Sequence, residues 1–232
     1  MIEELIVKPL RCGHCGGELP VSGQLVTFQC PACRRYWVIA GETLEPIVVH
    51  RASPIEANGA AKENAGLLYL PFWVAEVDGA ALRREVMNGT PERSAAHELD
   101  RILARLEGLS AFSIYVPGFR SLNTYAYLKV GRLLTRMQPS FALEPSEGTG
   151  HTILCGLRAE EAVALIDFVF FAILPESIQS NAGFLKDVHL TPAHPLRLVE
   201  FPFEERGASL VSVIGGFWIS GKLVEGIESL VP

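Results

Sequence analysis

Two cysteine pairs, Cys12-Gly13-His14-Cys15 and Cys30-Pro31-Ala32-Cys33, constrain this chain more than any other feature. Two residues lie between the thiols of each pair, so a tight turn can aim both sulfurs at one point. Fourteen residues separate the pairs, room for a short β-hairpin that brings the second turn opposite the first. Four thiolates then close a tetrahedron around Zn2+ at about 2.3 Å per bond. Gly16, Gly17 and Pro31 suit such knuckles, where backbone N–H groups turn toward sulfur. Four protein ligands leave no open position for water, so the site is expected to be structural. Its ion would act mainly as folding energy, because roughly 40 residues cannot build an adequate core alone.

The knuckles Cys-Gly-His-Cys-Gly-Gly and Cys-Pro-Ala-Cys, with Tyr36-Trp37 after the second, resemble a zinc ribbon. Ribbons of this kind occur in transcription, replication and RNA-polymerase-associated proteins. The resemblance covers roughly residues 10–40, under a fifth of the chain. It implies Cys12, Cys15, Cys30 and Cys33 as ligands of one structural Zn2+. A rubredoxin-like iron site uses the same four cysteines and would transfer one electron, but nothing else in the sequence suggests a redox partner. A thioredoxin-type dithiol uses a single pair in a βαβ setting. With four thiolates present, His14 has no vacancy to fill and reads as an exposed knuckle residue.

Composition bounds the rest. The 232 residues are 49% hydrophobic against 20% charged, so the chain has ample apolar surface to offset the entropy of ordering. The longest charge-free stretches, Leu19–Cys33 and Gly207–Gly221, are 15 residues each, short of the roughly 18 a spanning helix needs. No membrane span is expected. The start, Met1-Ile2-Glu3-Glu4-Leu5, carries acids where a signal peptide carries basic residues, and the chain reads as cytoplasmic. Net charge is −6, which argues mildly against gripping nucleic acid along the whole surface. Residues 81–136 are the exception, with nine Lys/Arg against five Asp/Glu. Residues 137–232 reverse the balance, with five against twelve. Solvated faces are the plain reading of both.

The fold class expected is α+β: a small N-terminal ribbon over 1–45, a polar linker over 46–66, and a mixed antiparallel sheet and helix domain over 67–232. A strand is expected at Leu5–Val7 and another at Tyr36–Ile39. The second unit opens with the strand Leu67–Val77, turns at Asp78-Gly79 and returns as Ala80–Met87. Thr90-Pro91-Glu92 starts a helix ending near Gly108. A strand at Ala111–Val116 and a helix from about Ser121 to Met137 follow. Short strands are expected at Phe141–Leu143 and His151–Cys155, and an apolar helix at Ala162–Leu174. The tail returns to strands at Leu196–Phe203, Ala208–Ile214 and Phe217–Ile219, with a Glu-Glu-Arg-Gly turn after the first. Pro71, Pro117 and Pro202 each stand inside a strand with an aromatic one or two residues on. Proline lacks the N–H of a central strand, so each belongs at an edge or bulge; a duplicated β-unit would explain the echo, and so would coincidence, since Pro and Phe are both common here.

Outside the metal site the candidates are thin. Cys155 is a conceivable nucleophile, but His151 would lie about 13 Å away along a strand, and a buried core thiol is the plainer reading. His189 and His194, with Asp187, could hold a second metal, but irregular loop spacing favours unpartnered histidines. Asp167 is the one acid inside the apolar helix. Arg34, Arg35, Tyr36 and Trp37 join two cations to two aromatics and could bind single-stranded nucleic acid, unless the aromatics cover the ribbon core. The leading expectation is a non-enzymatic docking or adaptor protein that meets a protein partner or a second copy of itself. A nucleic-acid-associated factor, and an enzyme with a site near Cys155 or His189/His194, are the alternatives.

Overall fold

The computed structural model describes residues 9–20, 25–54, 66–78, 112–119, 121, 124–148, 150–174, 179 and 189–220. The expected strand at Leu5–Val7, the return strand Ala80–Met87 with its turn, and the helix from Thr90 lie outside them. The described chain is a mixture of sheet and helix, as the α+β class requires.

A three-stranded antiparallel sheet holds the cysteine region: β1 (Thr27–Gln29), β2 (Tyr36–Ala40) and β3 (Thr43–Ile47). The second sheet is larger. Its spine is an antiparallel pair of long strands, β5 (Leu67–Val77) and β9 (Arg197–Arg206). Nearly every residue of β5 is buried, because both sheet faces are covered, and this is why the stretch reads as a continuous apolar run.

Each spine strand shares its outer edge between two neighbours, and a proline marks the change. On β5, Leu68 and Tyr69 pair in parallel with β8 (His151–Thr152). From Phe72 onward β5 pairs antiparallel with β6 (Phe112–Pro117). Pro71 stands between. On β9, Leu198–Glu200 pair in parallel with β4 (Val49–Pro54), and Phe203–Arg206 pair antiparallel with β10 (Ser209–Ser212). Pro202 stands between. A residue without an N–H fits where no ladder donor is needed. The two carbonyls remain in use: Pro71 accepts from the Gly118 N–H at 2.8 Å, and Pro202 from the Val213 N–H at 3.1 Å. Pro71 and Pro202 therefore lie in the middle of the sheet rather than at its rim. Pro117 matches the edge expectation, closing β6 opposite Phe72. β7 (Phe141–Pro145) lies beside β4 and β11 (Trp218–Ser220) beside β10.

Part of the stretch expected as a linker over 46–66 is strand. β3 runs to Ile47, and β4 occupies 49–54 inside the large sheet, flanked by β9 and β7. The stretch looked polar because of Arg51, whose charge is matched by Glu200 across the strand pair at 2.9 Å. The tail is also adjusted. Glu204, Glu205 and Arg206 are strand, and the turn falls at Gly207, whose φ is 59°. The strand expected over His151–Cys155 is only two residues long.

Among the described residues two helices pack on this sheet. α1 (Thr124–Met137) lies against the free edge of β6. Gly131 makes the approach, since a Cβ there would sit 2.5 Å from the Tyr115 carbonyl oxygen. Thr135 Oγ1 accepts the Tyr115 N–H at 3.0 Å, and the Gln138 amide group bonds both the N–H and the carbonyl of Ser113. Helix side chains thus complete a strand edge that would otherwise be open to pairing. α2 (Ala159–Ile173) covers one face, burying Ala162, Ile166, Val169 and Phe170 against Trp73, Phe112, Ile114 and Val116. Among the described residues no helix is long and apolar enough to cross a membrane.

Candidate metal centre

The two knuckles are built alike. In the first, the Gly16 N–H donates to the Cys12 carbonyl at 2.8 Å; in the second, the Arg34 N–H donates to the Cys30 carbonyl at 2.8 Å. Both closing residues adopt left-handed backbone, with φ of 74° at Gly16 and 58° at Arg34. Glycine takes that conformation freely, whereas Arg34 holds it against steric resistance. A Cβ on Gly17 would come within 3.4 Å of Cys15 Sγ and 3.7 Å of Cys30 Sγ.

The knuckles bring four sulfurs together. Cys12 Sγ lies 3.5 Å from Cys33 Sγ, Cys15 Sγ lies 3.5 Å from Cys30 Sγ, and all four sit within 4.8 Å of one another. A tetrahedron with 2.3 Å metal–sulfur bonds has edges of about 3.8 Å, so the arrangement fits one four-coordinate ion. Backbone donors prepare the site for thiolates. Against the opposing effect of burial, the N–H groups of Cys15 and His14 bring Cys12 down to about 6. Cys30 is lowered too, first by the Cys33 N–H. The Gly17 N–H favours the Cys15 thiolate, but the Cys30 thiol, burial and the thiols of Cys12 and Cys33 together outweigh it and push Cys15 up to about 12. His14 is exposed and stands outside the cluster.

Comparison with protein families, curated proteins and solved structures finds no match to this chain.

The aromatics beside the knuckles are buried. Trp37 is 7% exposed and packs with Leu19, Leu25 and Phe28, its ring held so close to Gly13 that a Cβ there would meet it at 2.6 Å. Tyr36 is 5% exposed. Neither ring is presented to solvent, which removes both from the expected nucleic-acid set Arg34, Arg35, Tyr36 and Trp37. Only the two arginines are exposed.

Tyr36 instead joins the cysteine region to the large sheet. Its hydroxyl donates to Glu200 Oε1 at 2.9 Å, and burial, then the Glu200 charge, drives the phenol's ionisation upward. Glu200 is 1% exposed and also accepts from Arg51 and Ser146. A second junction lies at Cys155. Its carbonyl accepts the N–H groups of Val26 and Thr27, and its N–H donates to Thr27 Oγ1 at 2.8 Å.

The Cys155 thiol itself is sealed. It is 1% exposed, it donates to the carbonyls of Gly118 and Leu157, and burial pushes it up to about 12. A protonated, inaccessible thiol is a poor nucleophile. His151 is exposed on β8. His189 and His194 do not share a site. His189 Nδ1 faces Asp167 Oδ2 at 3.3 Å, and Asp167 also accepts the Leu190 N–H. His194 lines a small cleft with Val74, Glu76, Pro195 and Arg197, where Glu76 and Arg197 pair. Asp187 lies outside the described residues. Among the described residues, the four-cysteine group is the one cluster able to hold a metal ion.

Proposed function

We propose that this chain is a zinc-ribbon protein that works as a docking or adaptor module in a protein assembly, without catalysis at its metal. The observation that carries this reading is the four-sulfur cluster, with every sulfur within 4.8 Å of the others. Four thiolates fill a tetrahedral shell and leave no place for water or substrate, so the ion holds shape rather than doing chemistry. Cys12, Cys15, Cys30 and Cys33 are its ligands, and thiolate softness with tetrahedral geometry favours Zn2+. Free thiols of this kind suit a reducing compartment, the cytoplasm.

The docking role draws on the outer side of α2. Phe168 is 61% exposed and Val163 43% exposed, apolar area that a protein partner or a second copy of the chain would remove from water. Elemental analysis of the purified protein tests the metal, with one zinc per chain expected. Light scattering with pull-down from cell extract tests the assembly. A strictly monomeric protein that captures nothing, and does so identically after Phe168→Glu, defeats the docking reading.

A further inference from the structure

Of the three tryptophans, Trp37 and Trp73 are buried and Trp218 is 61% exposed. Trp218 sits on β11, which among the described residues is the last strand on its side of the large sheet. Beside it runs the outer face of α1. At about 100° per residue, Lys129, Arg132 and Arg136 fall within roughly 60° of one another on that helix. Their backbones span roughly 10 Å along its axis. Lys129 and Arg136 are exposed and Arg132 is half-buried, and the helix contains no acidic residue. Among the described residues none of these three cations is ion-paired. The Lys129 ammonium lies 5.7 Å from the centre of the Trp218 ring, which ties the cationic row to the aromatic face. Glu204 is in register with Trp218 through Val211, but it is already paired with Arg206 at 2.7 Å.

In a protein of net charge −6, an unpaired cationic row is complementary to an anion. The cations alone would suit any polyanion. The exposed indole narrows the choice, because a flat π face beside a row of positive charge is what stacked bases with a phosphate backbone require. We propose that Trp218, Lys129, Arg132 and Arg136 form a binding surface for single-stranded nucleic acid, with a base stacked on Trp218 and phosphates along α1. The surface is distinct from Arg34 and Arg35 and does not depend on what the rest of the protein docks against.

The test uses the full-length, metal-loaded protein and labelled oligo(dT), read by fluorescence anisotropy. Binding is expected at low salt, with log affinity falling against log salt at a slope near −2 for about three phosphate contacts. Trp218→Ala should weaken binding about tenfold, and Trp218→Phe should retain most of it. Arg132→Gln with Arg136→Gln should flatten the salt slope by more than one. Oligo(dT) should also quench tryptophan emission, and Trp218→Phe should abolish the quenching, since the other two indoles are buried. No binding at low salt overturns the proposal. So does binding that the arginine pair leaves unchanged. Equal affinity for heparin, with no loss on Trp218→Ala, would show a general polyanion or acidic-protein surface and overturn the nucleic-acid assignment.

Discussion

The Tyr36 hydroxyl donates a 2.9 Å hydrogen bond to Glu200 Oε1, across a sequence separation of 164 residues. One partner lies three residues past the last metal-site cysteine, and the other lies at the centre of the large sheet. Arg51 completes the arrangement, placing its guanidinium on Glu200 and stacking at 3.8 Å over the Tyr69 ring. Removing Glu200 would take away the carboxylate that balances the Arg51 charge in a half-buried setting. Glu200→Ala is expected to cost about 3 kcal/mol, and Tyr36→Phe about 1.5 kcal/mol. Urea unfolding of the two variants checks both values, and equal losses would contradict the ranking.

Because the cysteine region shares this bond and the Thr27–Cys155 contacts with the sheet, metal removal should not be a local event. Chelation, or Cys30→Ser, is expected to lower the melting temperature of the whole protein rather than to add a separate early transition. Calorimetry with and without chelator distinguishes the two. Affinity for the ion should fall as pH drops, since protons compete for the same thiolates.

The five thiols should divide four to one. All five are free cysteines, and Cys12, Cys30 and Cys155 are buried; Cys12 and Cys30 belong to the small four-cysteine unit, whose packing loosens once its ion is removed, whereas Cys155 stays packed in the large core. With chelator present, Ellman's reagent should titrate four thiols in the native protein and the fifth only after denaturation. A fast fifth thiol in native protein would contradict the burial of Cys155.

Cys155 also predicts an alkaline limit. Burial raises its ionisation from the ordinary 9.0 to about 12, so the folded state holds this proton more tightly than the unfolded state. That contribution is fully present below about pH 9 and is lost as pH climbs toward 12, by on the order of 2–4 kcal/mol. Tyr115, raised to about 12 by burial, acts in the same direction. The slope of stability against pH in that window should therefore shrink in Cys155→Ala without vanishing, as measured by urea unfolding at stepped pH.

The seam between α1 and β6 should be sensitive to a single methyl group. Gly131→Ala places a carbon 2.5 Å from a backbone oxygen that cannot swing away, at an expected cost of about 2–3 kcal/mol. Gln138→Ala leaves the Ser113 N–H without its side-chain acceptor and should cost about 1–2 kcal/mol. Amide exchange at Ser113 should speed up in that variant before global stability is lost.

Much of this was legible locally. Leu67–Val77 reads as a buried strand because both of its faces are apolar, and the α2 segment reads as a helix that Pro175 closes. Pro71 and Pro202 announce a break in pairing, but not that β8 hands over to β6 and β4 to β10. β4 was illegible. Arg51 and Ser53 look like linker residues until Glu200, 149 residues away, neutralises the arginine. Trp37 and Tyr36 looked like a surface for ligands because composition records residue type and not the direction in which a side chain points.

By itself the sequence determined the four cysteines that could hold a metal ion and the geometry they can adopt, because a knuckle is a local turn whose spacing is written in consecutive residues. Only the tertiary structure decided that this region is anchored to the large sheet through Tyr36, Glu200, Thr27 and Cys155, that the Cys155 thiol is buried, and that Trp218 stands exposed beside the cations of α1. Those outcomes depend on contacts between residues dozens to hundreds of positions apart. Burial and charge pairing arise there from packing, for which no local pattern in the chain exists.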